Sequence, residues 1–319
     1  MKVLVTLNIP SVGISLMEAA GLEVEVWKEV QPLTPGQLSQ KAKSCKGLLC
    51  TAMDRIDAAF IQENLHLEII SQYGAGYDNI DVGAATDAGM VVGNAPEAMS
   101  NATADIAFML MLAASRKLCY LHKSIINGQW GYFQPQAHLG QELKGKTLGI
   151  YGLGRIGLEM AKRCVGAYDM SIIYCNRGHN TAAETLLGAQ KVDFHTLLSS
   201  SDVLSVHCAL TEETKGIFGK QAFEQMKPSA IFVNTARGPI HQEDHLIAAL
   251  KSGEIWGAGL DVSDPEPMKT DNPLLSMENV VVTPHIGSAT GEARDQMALL
   301  SAQNIVQYFM GKSVTHRVN

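Results

Sequence analysis

Nowhere in the 319 residues do four lysines or arginines stand in a row, and acidic side chains outnumber basic ones by 32 to 25. A formal charge of −7 works against nucleic acid and anionic lipid surfaces, which attract basic patches. Long apolar runs are missing too. The longest, Ile106 to Ala114, lies between Asp105 and Arg116, about half of what a bilayer span requires. The opening Met1-Lys2-Val3 leads into a strand-like segment that stops at Pro10, without the apolar region and small-residue cleavage site of a secretory signal. A cytoplasmic protein is expected. The six cysteines form no C-x-x-C pair, so buried thiols are expected rather than a disulfide framework or a metal site.

Charged residues make up only 18% of the chain and hydrophobic ones 46%, an ordinary globular balance. The length exceeds one core, and two domains are the natural prior. Strand-like segments at Lys2–Leu7, Val24–Trp27, Gly47–Cys50 and Leu67–Ser71 alternate with helical spacing at Val12–Ala20 and Leu33–Lys43. Such alternation predicts βαβ units on a parallel sheet. Asn101 to His122, rich in Ala, Leu and Met without Gly or Pro, reads as one long helix bridging to a second domain. An irregular aromatic arm follows, Gly128 to Gly140. A second series then places strands near Thr147–Tyr151, Met170–Cys175, Val203–His207, Ala230–Asn234, Ile255–Asp261 and Val280–Thr283. The last helix, Gly291 to Met310, can return the chain to the first domain. The expected fold is α/β with two parallel-sheet domains, the first discontinuous: 1–99, then 100–287, then 288–319.

GLGRIG at Gly152–Gly157 sits where a strand runs into a helix that starts near Arg155. Gly152 permits the tight turn, Gly154 lets a pyrophosphate approach the backbone, and Gly157 allows close helix–strand packing. The phosphates would meet the helix N-terminus. After the next strand come Asn176 and Arg177 in place of the acid that would bond a ribose 2′-hydroxyl. Arg177 can pair with a 2′-phosphate and Asn176 can hydrogen-bond it. NADP(H) is therefore favoured, with NAD(H) the alternative.

Three residues carry the chemistry. Arg237 closes IFVNTARG, Glu266 lies in GLDVSDPEP and His285 ends VVVTPHIG. Each follows an apolar run, and in an open α/β sheet ligands bind at the carboxyl ends of the strands. Histidine suits proton donation because its ordinary pKa lies near neutrality, a carboxylate can orient its ring, and arginine offers a planar fork for a carboxylate. HQEDH at 241–245 has histidines at i,i+4 but no HExxH pattern; it reads as the start of a solvated helix and no metal is expected.

These motifs, with YGAGYDNID at 73–81, NAPEAMSNATADIAF at 94–108 and TPHIGSAT at 283–290, give the chain a sequence that resembles the D-isomer-specific 2-hydroxyacid dehydrogenases, nearest to NADPH-using glyoxylate/hydroxypyruvate reductases. The resemblance implies two Rossmann-like domains, substrate binding in 1–99 and 288–319, and dinucleotide binding in 100–287. It implies Arg237, Glu266 and His285 as the catalytic residues. It implies substrate contacts from the backbone N–H groups of Ala75 and Gly76, and from Met53. Cofactor contacts are implied at Thr103, Gly152, Gly154, Arg155, Ile156, Gly157, Asn176, Arg177, Thr235 and Ala236, with Asp261 on the nicotinamide amide. A homodimer is implied, its aromatic arm completing a partner's site in such reductases. Cys208-Ala209, where many relatives have proline, and Asp105, where Glu is more usual, depart from the pattern.

The expected activity is NADPH-dependent reduction of a small 2-keto acid, glyoxylate or hydroxypyruvate favoured, to the D-2-hydroxy acid. An NAD-dependent D-2-hydroxyacid dehydrogenase acting on a larger keto acid is the alternative within the class. A dinucleotide-sensing corepressor on the same fold is the alternative outside it.

Overall fold

In the computed structural model of the chain, which describes residues 1–319, the polypeptide forms two compact units. One is Met1–Met99 with Ser288–Asn319; the other is Ser100–Gly287. The first unit carries β1 (Lys2–Val5), β2 (Glu23–Val26), β3 (Gly47–Cys50), β4 (Ile69–Gln72) and β5 (Val91–Gly93), all parallel, in the order β2-β1-β3-β4-β5. Helices α1 (Ser11–Ala19), α2 (Pro35–Ala42), α3 (Ala58–Glu63) and α4 (Val82–Asp87) fill the crossovers, and the C-terminal helix Gly291–Phe309 completes the unit. Both sheet faces are covered, so the inner strands β1, β3 and β4 are buried on both sides, while the edge strand β2 alternates Glu with Val. Val3, Val5, Leu49 and Ile69 pack with Met297, Ala298 and Ile305 of the C-terminal helix. Leu4, Leu48, Cys50 and Ile70 pack with Leu38, Phe60, Ile61 and Ala85. A Cβ on Gly13 would lie 2.6 Å from the Ala298 carbonyl oxygen, so α1 and the C-terminal helix touch backbone to backbone.

The second unit begins with α5 (Ser100–Ser115) and α6 (Leu118–Ile126). Its sheet comprises β6 (Thr147–Tyr151), β7 (Ser171–Cys175), β8 (Gln190–Lys191), β9 (Val203–Val206), β10 (Ile231–Asn234), β11 (Gly257–Leu260) and β12 (Val280–Val282). All pairings are parallel, in the order β12-β11-β10-β9-β6-β7-β8. The intervening helices are α7 (Arg155–Tyr168), α8 (Thr181–Leu187), α9 (Phe194–Ser200), α10 (Lys220–Glu224) and α11 (Glu243–Ser252). One sheet face packs on α5 and α7 through Leu110, Met111, Met160 and Ala161; the other packs on α9 to α11 through Leu197, Phe223 and Leu246. Strand order reverses between β6 and β9, which makes the carboxyl ends of those two strands the expected ligand crevice.

The single long helix expected over 101–122 is two helices. The chain breaks at Lys117, which is left-handed with φ 55°. The cause is tertiary: the Ser115 carbonyl, which would continue the helical ladder, accepts from the Gln141 N–H at 2.8 Å. Lys117 turns aside to pair with Glu278 at 2.9 Å and to lie over the Trp256 ring. The HQEDH segment also differs from expectation. It does lead into α11, but His241 is a core residue, 4% exposed, stacked edge-on against Phe232.

Candidate active site

At the switch point, β6 runs into Gly152 at φ +93°, where a Cβ would fall 2.5 Å from the Cys208 backbone nitrogen of the loop after β9. Only glycine fits that turn. A Cβ on Gly154 would meet nothing within 4 Å, so the backbone faces open space there. Gly154 caps α7 without a side-chain hydrogen bond, which leaves the N–H groups from Arg155, Ile156 and Gly157 onward at a dipole end suited to a phosphate. Gly157 lies close under the turn, 3.1 Å from the Gly152 carbonyl oxygen by its notional Cβ. These features fit a dinucleotide pyrophosphate.

Asn176, a candidate for the 2′-phosphate, is held by the glycine turn. Its Oδ1 accepts from the Leu153 N–H at 2.7 Å and its Nδ2 donates to the Leu153 carbonyl at 3.1 Å. Asn180 Nδ2 donates to the same carbonyl at 2.9 Å. The pair clamps Leu153, the residue between Gly152 and Gly154, by both of its backbone polar groups. Arg177 is exposed at the tip, near enough to Glu213 to help lower its carboxyl, after the larger effect of the Thr211 hydrogen bond. Lys191 donates to the Arg177 carbonyl at 3.3 Å, which adds a second cation beside that tip.

The catalytic candidates come from the ends of β10, β11 and β12. Asn234, the last residue of β10, organises the turn that carries Arg237. Its Oδ1 accepts from the Ala236 N–H at 2.9 Å and its Nδ2 donates to the Arg237 carbonyl at 2.9 Å. The guanidinium donates to the Ala236 carbonyl at 2.8 Å. Glu266 lies in the loop after β11, where Oε1 accepts from the Ser263 N–H at 3.1 Å and Oε2 faces His285 Nδ1 at 2.9 Å. In that contact Nδ1–H of His285 donates to the Glu266 carboxylate, which leaves Nε2 as the free ring nitrogen. Burial pushes the Glu266 carboxyl up, but the His285 hydrogen bond, the Ser263 N–H and the positive charge of Arg237 together hold it below its ordinary value. Arg237, Glu266 and His285 thus form one electrostatic group.

Asp261, 1% exposed, accepts from Thr283 Oγ1 at 2.6 Å, from the Ile286 N–H at 2.8 Å and from the Gly287 N–H at 2.7 Å. Thr103 Oγ1 donates to the Gly287 carbonyl at 3.1 Å. Thr235 Oγ1 sits 3.4 Å from Nδ1 of His207, whose Nε2 meets Ser205 Oγ at 2.8 Å. Burial of the ring pushes His207 down to about 4. His207 was not among the expected site residues; its position at the end of β9, on the switch point, was the available signal. In the other unit, Ala75 and Gly76 donate no main-chain hydrogen bond, and Asn94 Nδ2 donates to the Ala75 carbonyl at 2.8 Å. Met53 is exposed on a turn pinned by Asp54, which accepts from Thr6 Oγ1 and from the Thr51 N–H and hydroxyl.

Residues 108–287 match the family model described as the D-isomer specific 2-hydroxyacid dehydrogenase, NAD binding domain. The whole chain aligns with the glyoxylate reductase of Thermococcus litoralis at 42% identity, covering 100% of this chain and 96% of that one. The chain belongs to the D-isomer-specific 2-hydroxyacid dehydrogenases. Among solved structures, this dehydrogenase is similar to a glyoxylate reductase from Paecilomyes thermophila, with TM-score 0.90 and 32% identity over 100% and 98% of the two chains. It is also similar to an NADPH-dependent glyoxylate/hydroxypyruvate reductase from Sinorhizobium meliloti solved with NADP and malonate, with TM-score 0.86 and 28% identity over 99% and 96%. Membership makes the protein an NAD(P)-dependent dehydrogenase of small 2-hydroxy acids and their 2-keto counterparts, on two Rossmann-like domains. No helix of this dehydrogenase is long and apolar enough to cross a membrane.

Proposed function

We propose that the protein reduces glyoxylate and hydroxypyruvate with NADPH, yielding the D-2-hydroxy acid where the product is chiral. The hydrogen bond between His285 Nδ1 and Glu266 Oε2, with the Arg237 charge acting on the same carboxylate, is the observation that carries the chemistry. The bound nicotinamide supplies the hydride. His285 donates its Nε2 proton to the oxygen that becomes the hydroxyl, while Glu266 keeps the ring oriented. Arg237 anchors the substrate carboxylate and the reacting oxygen through its planar fork. Ala75 and Gly76, whose N–H groups are free of main-chain partners, are proposed substrate-binding residues, as is Met53. Thr103, Arg155, Ile156, Thr235, Ala236 and Asp261 are proposed cofactor neighbours.

Preference for NADPH rests on Arg177 and on the absence of an acid at the tip of β7. A carboxylate there would repel a 2′-phosphate, whereas Arg177 attracts it. Steady-state kinetics at the nicotinamide absorbance decides the matter. Arg177→Ala is expected to raise KM for NADPH about tenfold or more, the scale of one charge-assisted hydrogen bond, and to leave NADH nearly unchanged. Equal losses with both coenzymes would contradict it. The same reading makes the protein a homodimer built on α6 and the aromatic arm that follows it.

A further inference from the structure

Two consecutive peptides of the first unit have their carbonyl groups tied to the exit of β5. The Ala95 N–H donates to the Gly74 carbonyl at 2.8 Å, and Asn94 Nδ2 donates to the Ala75 carbonyl at 2.8 Å. A trans peptide is planar, with its N–H directed opposite to its C=O. Holding those two carbonyls therefore turns the Ala75 and Gly76 N–H groups away from residues 94 and 95, and neither meets a main-chain acceptor. Asn94 is itself fixed at both of its backbone polar groups. Its N–H donates to the His316 carbonyl at 3.1 Å, and its carbonyl accepts from Asn304 Nδ2 of the C-terminal helix at 2.9 Å. Asn304 is fully buried and fits against Gly93 only because that residue has no side chain; a Cβ there would lie 2.8 Å from Nδ2. Residues His316 to Asn319 run antiparallel along β5, the edge strand of its sheet, with Arg317 opposite Gly93. The Val318 N–H donates to the Val92 carbonyl at 2.8 Å, and the Val92 N–H donates to Asn319 Oδ1 at 2.9 Å. The segment thus covers an edge that would otherwise stand unpaired and brings the His316 carbonyl to Asn94.

We propose that Asn94 is a positioning residue for substrate binding, its side-chain amide holding the Ala75 carbonyl so that the Gly76 N–H is aimed at the carboxylate of the keto acid. This rests on the reading of Ala75 and Gly76 as substrate-binding residues. The residue type follows from the task. A carbonyl needs a donor, and the amide of asparagine supplies one without charge. A carboxylate of the same shape would set acceptor against acceptor and place a negative charge near an anionic ligand. A methyl group would leave the Ala75 carbonyl to water and the peptide free to rotate. An N–H held toward an anion makes a charge-assisted hydrogen bond. The substrate carboxylate keeps its charge from bound state to transition state, so that bond contributes equally to both. Its loss then appears in KM and leaves kcat in place.

The test is Asn94→Ala in the full chain, with Asn94→Ser as a companion that keeps a shorter donor. Three quantities are measured: kcat and KM for glyoxylate, NADPH affinity from nicotinamide fluorescence, and the NMR order parameter of the Gly76 amide. For Asn94→Ala, KM is expected to rise about fivefold to fiftyfold, the scale of one hydrogen bond to a charged group. Turnover and NADPH affinity are expected to stay within about threefold of wild type, and the order parameter to fall from about 0.85 toward about 0.6. Asn94→Ser is expected to lie between. Unchanged KM or an unchanged order parameter would overturn the proposal. So would kcat or NADPH affinity falling in step with the rise in KM, which marks a general disturbance of the fold. The underlying reading is tested separately in the wild type, where NADP with oxalate, an unreactive dicarboxylate, is expected to shift the amide resonances of Ala75 and Gly76. Resonances that stay in place would overturn the substrate role, while the order parameter would still report whether Asn94 holds the peptide. If Asn94→Ala does not fold, Asn94→Ser decides by the same split.

Discussion

Single side chains here are governed by what the fold places against them. His241 shows it most simply. Its Nδ1 meets the Nδ2 of Asn234 at 3.1 Å, its Nε2 has no partner, and burial pushes it down to about 4. Above pH ~6.5 the ring is neutral in the folded and unfolded chain alike and contributes no pH dependence. As pH falls from there toward 4 the unfolded chain takes up a proton that the folded one refuses, so stability is lost, by up to about 1.4 kcal/mol per pH unit and about 3 kcal/mol in all. Chemical denaturation of wild type and His241→Phe at pH 7.5 and pH 5 checks this. The wild type is expected to lose more stability than the variant on acidification; equal losses would show that His241 is not the group responsible. Glu266 is shifted the same way, but there the shift preserves a charge instead of refusing one. Its lowered carboxyl keeps the charge that orients His285 as pH falls through the ordinary carboxylate range, and the pair is lost only below it.

Among the elements, α6 and the arm after it are anomalous. Helix α6, LCYLHKSII, has no buried residue, and Ile126, Trp130, Tyr132 and Phe133 are each more than 70% exposed. A contiguous apolar surface of this kind marks an interaction site, and the proposed occupant is a second copy of the chain. Light scattering on the wild type is expected to give twice the 34.4 kDa chain mass, and Ile126→Glu with Trp130→Glu to give the monomer. A wild type that is monomeric at micromolar concentration would rule the dimer out. The strands of the second unit were legible in the sequence because both faces of its sheet are buried, which makes each strand a short continuous apolar run. The exception there is β8, whose two polar residues carry no apolar run. The break at Lys117 was illegible for a different reason: neither Gly nor Pro marks it, and its cause is the Gln141 N–H far along the chain. Asn176 illustrates the same limit. Its amide partner, Leu153, is chosen by how the turn folds back, which residue type alone does not show.

Over the whole molecule, the sites were legible wherever residue type and strand end coincide. GLGRIG, Arg237, Glu266 and His285 each stand at the carboxyl end of a strand, and the parallel sheet brings those ends to one edge. What holds them in position was not visible, because Asn234 and Asp261 act through hydrogen bonds to backbone that sequence does not reveal. The departure at Cys208 is now placed: its backbone lies against Gly152, so it shapes the glycine turn by contact. The claim on which the rest depends is that His285, oriented by Glu266, gives the proton in keto acid reduction. The most direct measurement is kcat for glyoxylate and hydroxypyruvate with NADPH in wild type and His285→Ala. Turnover by the wild type with a loss of about a hundredfold to ten-thousandfold in the variant, the usual worth of general acid catalysis, is the predicted result. Near-wild-type turnover in His285→Ala would contradict it.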